Sequence, residues 1–326
     1  MHASKLLLAF LVLAGIAVPF PSHTQAQVWC VGDDTAVQSA SAGRLPCHRE
    51  VLDDPPIPRP AEPLPGVARH AGPRIRGPYQ NIQVNVDEQG HNILRDAANE
   101  PSIAIDPANP NRIVIGWRQF DMVVSNFRQA GWAYSHDGGQ TWTFPGVLEP
   151  GVFRSDPVLD ADADGNIYYY SLTHERSCDL FKSIDGGVTW EEPTPGFGGD
   201  KAWMTIDRTG GIGRGNIYAN WTSGFGICDP GHFTRSYDGG QTFMDCTEVL
   251  GYPYWGTLAV GPDGELYVAG DGFVVAKSTT VQDQTHPIAW DFSTVVSLGG
   301  RMSFGSGPNP GGLLGQVWIA VDHSDG

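Results

Sequence analysis

The chain has 326 residues, of which 42 are Gly, 25 are Pro and only 17% are charged, beside ten Trp, ten Tyr and fourteen Phe. That mixture excludes a coiled coil and a disordered chain and points to many short strands joined by turns. Twenty basic against 36 acidic residues give a formal charge of −16, which repels phosphate backbones and argues against nucleic acid as a partner.

The N-terminus runs from Lys5 through the apolar stretch Leu6 to Phe20, then Pro21 and the small-residue site Thr24-Gln25-Ala26. This is the order of a cleavable secretory signal, so residues 1–26 are expected to be removed and the mature protein to be secreted or periplasmic. The run is shorter than the roughly 20 residues a membrane span needs, and no later stretch approaches that length, so no membrane span is expected. The five cysteines, Cys30, Cys47, Cys178, Cys228 and Cys246, all follow the cleavage site, where an oxidising compartment lets disulfides persist. Cys30 with Cys47 and Cys228 with Cys246 are the nearest pairs, leaving one cysteine over. No Cys-x-x-Cys, His-x-His or His-Glu-x-x-His occurs, so neither a metal nor another cofactor is expected.

Residues 27–76 contain Asp53-Asp54-Pro55-Pro56-Ile57-Pro58-Arg59-Pro60, then Pro63 and Pro65, and read as a Pro-rich extended linker. The folded domain is expected over residues 77–326, opening with a strand at the alternation Ile82, Val84, Val86.

Two repeats organise the remainder. Ser135-His136-Asp137-Gly138-Gly139-Gln140-Thr141-Trp142 recurs as Ser183 to Trp190 and as Ser236 to Phe243. An apolar run ending at a turn recurs at Pro101 to Asp106, Pro157 to Asp162, Ala202 to Asp207, Gly256 to Gly261 and Val317 to Asp322, at steps of about 50 residues. After each of the first four turns a second strand follows, a third leads into the Asp-Gly-Gly turn and a fourth leaves it, which is the pattern of a propeller blade. Asp137, Asp185 and Asp238 are structural in this reading. An acid repeated at the same height in successive blades closes a turn, whereas an active site needs a unique constellation.

Residues just before the first strands converge on the axis of a propeller, and there the chain offers Asn99-Glu100, Ser155-Asp156, Asp200-Lys201, Tyr254-Trp255 and Gln316. The ends of the second strands add Trp117-Arg118, His174-Glu175, Asn220-Trp221 and Asp271. Carboxylates that accept paired hydroxyls and rings that cover apolar sugar faces are what glycan recognition uses. Arg118, Asp156, Asp200, Lys201, Tyr254 and Trp255 are therefore the candidate substrate-binding residues. The acid-rich stretch Asp160-Ala161-Asp162-Ala163-Asp164-Gly165 matches half a calcium loop, but its twelfth position is Ser171 rather than Glu, and it reads as a turn.

The Ser-x-Asp-Gly-Gly-x-Thr-aromatic units look like the Asp-box, or bacterial neuraminidase repeat, and the chain from about residue 95 onward resembles the sialidase-like β-propeller superfamily. The resemblance implies an all-β propeller of four-stranded antiparallel blades, six when complete, with the site at the end opposite the Asp-boxes. Only four blades are completed before Gly326, so a C-terminally truncated chain is expected; a small four-bladed propeller is the alternative. Sialidases of the superfamily carry an Arg triad, a Tyr–Glu nucleophile pair and an acid/base Asp. Where their first Arg stands in an Arg-Ile-Pro box, this chain has Asn99-Glu100-Pro101. Arg118 and Asp121 correspond by position to a site Arg and the acid/base Asp. Asp121 and Glu100 are the candidate catalytic carboxylates. The expected function is an exported propeller that acts on or binds glycans, with glycoside hydrolysis as the implied activity and neutral or amino sugars preferred over sialic acid. The alternative is a non-catalytic Asp-box propeller that serves as a protein-binding or scaffold module.

Overall fold

The computed structural model describes residues 74–76, 79–300 and 316–324. The expected leader at 1–26, nearly all of the Pro-rich segment, Cys30 and Cys47 lie outside the described residues. A short hairpin of β1 (Arg74–Arg76) and β2 (Tyr79–Asn81) comes first. Four antiparallel sheets follow in chain order. The first is β3 (Ala97–Ile105), β4 (Ile113–Phe120), β5 (Gln129–Ser135) and β6 (Thr143–Val147). The second is β7 (Ser155–Ala161), β8 (Ile167–Leu172), β9 (Cys178–Ser183) and β10 (Thr194–Gly196). The third is β11 (Trp203–Ile206), β12 (Ile217–Asn220) and β13 (Phe233–Ser236). The fourth is β14 (Leu258–Val260), β15 (Leu266–Gly270), β16 (Val274–Ser278) and β17 (Phe292–Val295). Among the described residues the only helical element is a 3-10 turn at Asp271–Phe273.

The sheets are the blades of a propeller. Each first strand neighbours the next: Leu159 N–H on β7 donates to Ser102 Oγ on β3 at 2.9 Å, and Ile206 N–H on β11 donates to Asp160 Oδ2 on β7 at 3.0 Å. The core is a set of apolar layers between blades, and the period-2 alternation of strands fills both sides of each sheet. β8 shows how. Ile167 and Tyr169 pack with Val114, Trp132 and Phe181 toward the first blade, whereas Tyr168 and Tyr170 pack with Met204, Ile206 and Ile217 toward the third. A strand buried on both faces therefore reads as the uninterrupted run Ile167-Tyr168-Tyr169-Tyr170. Between the third and fourth blades the layer is built on Tyr218, Phe233, Leu258 and Val268.

The three Asp-box turns share one geometry. Asp137 Oδ1 accepts from Ser135 Oγ at 2.7 Å and from Gln140 and Thr141 N–H at 2.9 Å, and its Oδ2 accepts from Thr141 Oγ1 at 2.6 Å. Asp185 and Asp238 receive the same serine, backbone and threonine donors. The turn also reaches the preceding blade. Gly187 has φ of 90°, and a Cβ there would stand 2.6 Å from Val114 Cγ2; its carbonyl accepts from Trp132 Nε1 at 2.8 Å. Only glycine fits both the positive φ and the close approach.

Three expectations are corrected. The alternation at Ile82, Val84 and Val86 forms no strand: Gln83 bonds to Asn85 and Asn92, and Asp87 Oδ1 caps a reversal through Gln89 and His91 N–H. Local side-chain bonds have replaced a ladder, and only Val86 pairs, with Asn92. The third blade lacks a fourth strand. Residues 243–247 run beside β13 instead, through Met244 N–H to Arg235 O and Thr247 N–H to Phe233 O, and the Cys228–Cys246 disulfide fastens them. Val317 to Asp322 is extended without joining a ladder, lying along β14 through Val317 N–H to Trp255 O and Ile319 N–H to Thr257 Oγ1. Cys178 is a buried free thiol.

Hydrogen bonds to the ionised form hold the Asp137 carboxyl down, from its ordinary 3.8 to about 2, with Thr141 the largest contributor. A depressed carboxylate stabilises the fold above 3.8 and loses that contribution as pH falls toward 2. The melting temperature should therefore drop over about pH 4 to 2, and the drop should shrink when Asp137, Asp185 and Asp238 are all changed to Asn. At neutral pH, Asp185→Ala should cost roughly 1–2 kcal/mol in urea unfolding, the low end for a partly exposed charged acceptor.

Candidate functional site

Strand register separates two ends of each blade. On β4, Ile113 lies opposite Ile105 and Ser135 at the Asp-box end, whereas Arg118 lies opposite Asn99 and Ala130 at the other. At that second end, the first strands of blades one and two each carry a bulge, between Asn99 and Ser102 and between Ser155 and Val158. Within or beside the entry of every blade stands a non-glycine residue in the left-handed region: Glu100 at φ 49°, Asp156 at 45°, Lys201 at 54° and Trp255 at 55°. Each such residue costs on the order of 1–3 kcal/mol, and such outliers gather at functional sites.

Three of the four meet. Glu100 Oε1 accepts from Arg118 Nη2 at 2.6 Å and from Lys201 Nζ at 3.4 Å. Lys201 Nζ also lies 3.9 Å from Asp156 Oδ2, which accepts the Lys201 N–H at 3.0 Å. Ser155 Oγ donates to Asp156 Oδ1, and Arg118 Nε donates to Asn99 Oδ1. The result is a two-acid, two-cation cluster built from three blades. Burial opposes the charge on Asp156, but Lys201 and Ser155 outweigh it and hold its carboxyl below the ordinary range. Burial likewise opposes the Lys201 ammonium, and Asp156 and Glu100 outweigh it and raise its pKa. The side chains of Asp156, Arg118 and Lys201 are 4%, 10% and 11% exposed, whereas that of Glu100 is 36% exposed. Glu100 is thus the member that faces solvent, and its Oε2 makes no hydrogen bond among the described residues.

The other candidates fall outside this quartet. Asp200 is buried, and its carbonyl accepts from Thr222 N–H. Trp255 is only 3% exposed, so it cannot offer a ring face to a sugar; it packs edge-on against Tyr254. Tyr254 is partly exposed, donates to Asp271 Oδ2 at 3.2 Å, and has its phenol raised to about 12 by burial and by Asp271. Asp121 Oδ2 accepts from Gln129 Nε2 at 3.0 Å, past the end of β4. Asp156, expected before the second blade as a substrate-binding residue, is buried and supports the cluster from within. In the stretch Asp160 to Asp164, Asp162 is occupied by Asp164 and Asn166 N–H, Asp160 by Arg208 and Asp164 by Arg214. Sequence reasoning missed Arg154, two residues before Asp156. Its guanidinium is buried over Phe181 and binds Glu149 at 2.5 Å and Asp179 at 2.7 Å. An Arg beside a blade entry was the available signal.

The BNR/Asp-box repeat family matches residues 133–144, the first of the three turns. The chain carries Asp-box turns on antiparallel, propeller-type blades. Among solved structures it is similar to a protein of unknown function from Dyadobacter fermentans, at 16% identity over 64% of this chain and 71% of that one, with a TM-score of 0.43. It is also similar to the Hadza microbial sialidase Hz136, at 13% identity over 69% of this chain and 50% of that one, TM-score 0.43. A third similarity is to YCF48 bound to D1 peptide, at 15% identity over 67% of this chain and 58% of that one, TM-score 0.41. The chain thus spans less than two thirds of the length of the latter two. No curated protein sequence is detectably similar to it.

Removing one member of a buried pair leaves the other charge uncompensated. Asp156→Ala should therefore destabilise the protein by about 2–3 kcal/mol, and Asp156→Asn, which keeps an acceptor for the Lys201 N–H, by clearly less. Equal losses in urea unfolding would mean that the ion pair adds nothing to the backbone bond.

Proposed function

We propose that the protein is exported and binds glycans at the propeller end opposite the Asp-boxes, with neutral or amino sugars as its ligands. The observation that carries this reading is Glu100: a half-exposed carboxylate, held in a strained conformation by two cations, with Oε2 left to accept. A sugar hydroxyl or ammonium pairs with such an acceptor. An anionic sugar would meet two cations already neutralised by Glu100 and Asp156, and the exposed carboxylate would repel it. The partly exposed Tyr254, on the fourth blade, is the aromatic candidate for the same face.

Hydrolysis by two carboxylates needs one that stays protonated near neutral pH. Lys201 favours the ionised form of Asp156, which suits a binding rather than an acid role, and Glu100, held by Arg118 and Lys201, is read here as its partner in binding. Export is supported by the order Lys5 to Ala26 and by the Cys228–Cys246 disulfide, which suits an oxidising compartment. No helix among the described residues is long and apolar enough to cross a membrane.

Calorimetric titration should detect binding of glucosamine oligomers and neutral oligosaccharides but not of sialyllactose. Glu100→Gln should weaken the glucosamine oligomers about tenfold or more, the scale of a charge-assisted hydrogen bond. Release of sialic acid from a fluorogenic sialoside, abolished by Asp121→Asn or Arg118→Ala, would replace this reading with a hydrolytic one. N-terminal sequencing of secreted protein should begin at Gln27 or within a few residues of it.

A further inference from the structure

Where the third blade lacks its outer strand, residues 244–252 lie along β13 as a strap, and His232 is the side chain on which the strap closes. Met244 N–H donates to Arg235 O and Thr247 N–H to Phe233 O, and the Thr247 carbonyl accepts from the N–H groups of His232 and Phe233. Val249 then turns inward and is buried between the third and fourth blades with Leu258 and Val268. The His232 ring is buried beside it and stacks on Tyr252, with 5.2 Å between centroids and 23° between planes. The His232 carbonyl accepts from Trp221 N–H and Asn220 Nδ2, so the same residue also ties off the end of β12.

The partners of the ring fix its protonation. Nδ1 lies 3.1 Å from Pro230 O, which can only accept, so Nδ1 carries the proton. The Val249 N–H, which can only donate, lies 3.4 Å from Nε2, so Nε2 is bare. A second proton would set N–H against N–H and place a positive charge in the seam between two blades, where burial makes it costly. The charged groups that bear on the ring are Glu248, in the strap, and Asp229, in the loop before β13. Both are exposed and already engaged: Glu248 accepts from the Tyr252 phenol, and Asp229 from Gly224 N–H and Ser223 Oγ. β12 brings only the uncharged Asn220 and Trp221. Burial outweighs the Pro230 carbonyl and the two carboxylates and holds the imidazole below its ordinary 6.5.

We infer that His232 is an acid-operated latch: the neutral ring holds the strap on the third blade, and a second proton on that ring releases residues 247–252 and loosens the entry of the fourth blade. Tyr252 stands two residues before Tyr254, whose carbonyl accepts from Asp271 N–H and whose phenol donates to the Asp271 carboxylate at that entry. Release of the strap frees the chain on one side of this anchor. The latch stands on the strap alone and does not depend on the glycan reading. Because burial lowers the folded pKa beneath the unfolded one, the hold is complete above roughly pH 6.5 and is lost as pH falls.

Hydrogen exchange of the full chain, followed by NMR from about pH 7.5 to 5, tests the latch. The protection factor of the Val249 amide should fall by up to about tenfold per pH unit below roughly pH 6.5, the linkage of one proton. That of Tyr169, in the layer between the first two blades, should hold. In His232→Gln, whose amide donates and accepts but takes up no proton, Val249 protection should stay level over the same range. The ring nitrogen shifts of the wild type, which need no variant, should show a proton on Nδ1 and none on Nε2 at the upper end of the range. A ring that is charged there or in the other tautomer would overturn the inference. So would Val249 protection that does not fall, a fall that His232→Gln shares, or Tyr169 opening in step with Val249, which is global unfolding.

Discussion

The hydrogen bonds gathered by a single carboxylate in each Asp-box turn are the interaction on which the rest of the structure rests. Asp185 takes a serine hydroxyl, two backbone N–H groups and a threonine hydroxyl, and so closes a turn whose second glycine can lie flat against the preceding blade. With that turn in place, Trp132 reaches the Gly187 carbonyl and Trp190 stands against Trp132 and Tyr169. The apolar layer between blades one and two is thereby sealed. The third blade repeats the device on the second, where Gly240 lies against Leu180 and Ile217. The fourth blade has no such turn, and Asp291 instead accepts from Thr279 N–H and Oγ1.

The two ends of the blades use charge in opposite ways. At the Asp-box end the Asp-box carboxylates are satisfied locally by neutral donors, one turn at a time, while Asp160 and Asp164 pair with Arg208 and Arg214. At the other end the side chains answer one another across three blades, and two positive charges balance two negative ones inside a protein of net charge −16. A cluster of that kind requires every contributing blade to hold its angle, because Lys201 must reach Glu100 over a sequence distance of 101 residues. The turns at one end and the ion pairs at the other therefore constrain the same rotation of blade on blade.

Much of this was legible because it repeats. Three Asp-Gly-Gly turns in phase with the apolar runs place every blade, and the residues before the first strands were the right place to look for convergence. What could not be read was local. Gln83 and Asp87 spend their side chains on nearby backbone and on Asn92, which dissolves a strand that alternation alone announces. The left-handed conformations of Glu100 and Asp156 precede Pro101 and Pro157 and carry no compositional mark. The burial of Asp156 and Trp255 follows from neighbouring blades, which no single stretch of sequence displays.

The Cys228–Cys246 bridge stands where the third blade has no outer strand, and that position gives it a meaning beyond cross-linking. The open side of β13 is guarded by a loop with only a few backbone bonds of its own, so covalent closure does the work that a fourth ladder does elsewhere. An unguarded strand edge is a template for pairing with other chains. Here the Met244 and Thr247 backbone bonds cover that edge and the disulfide makes the cover covalent. The third blade thus ends in a seam that oxidation locks rather than in a ladder.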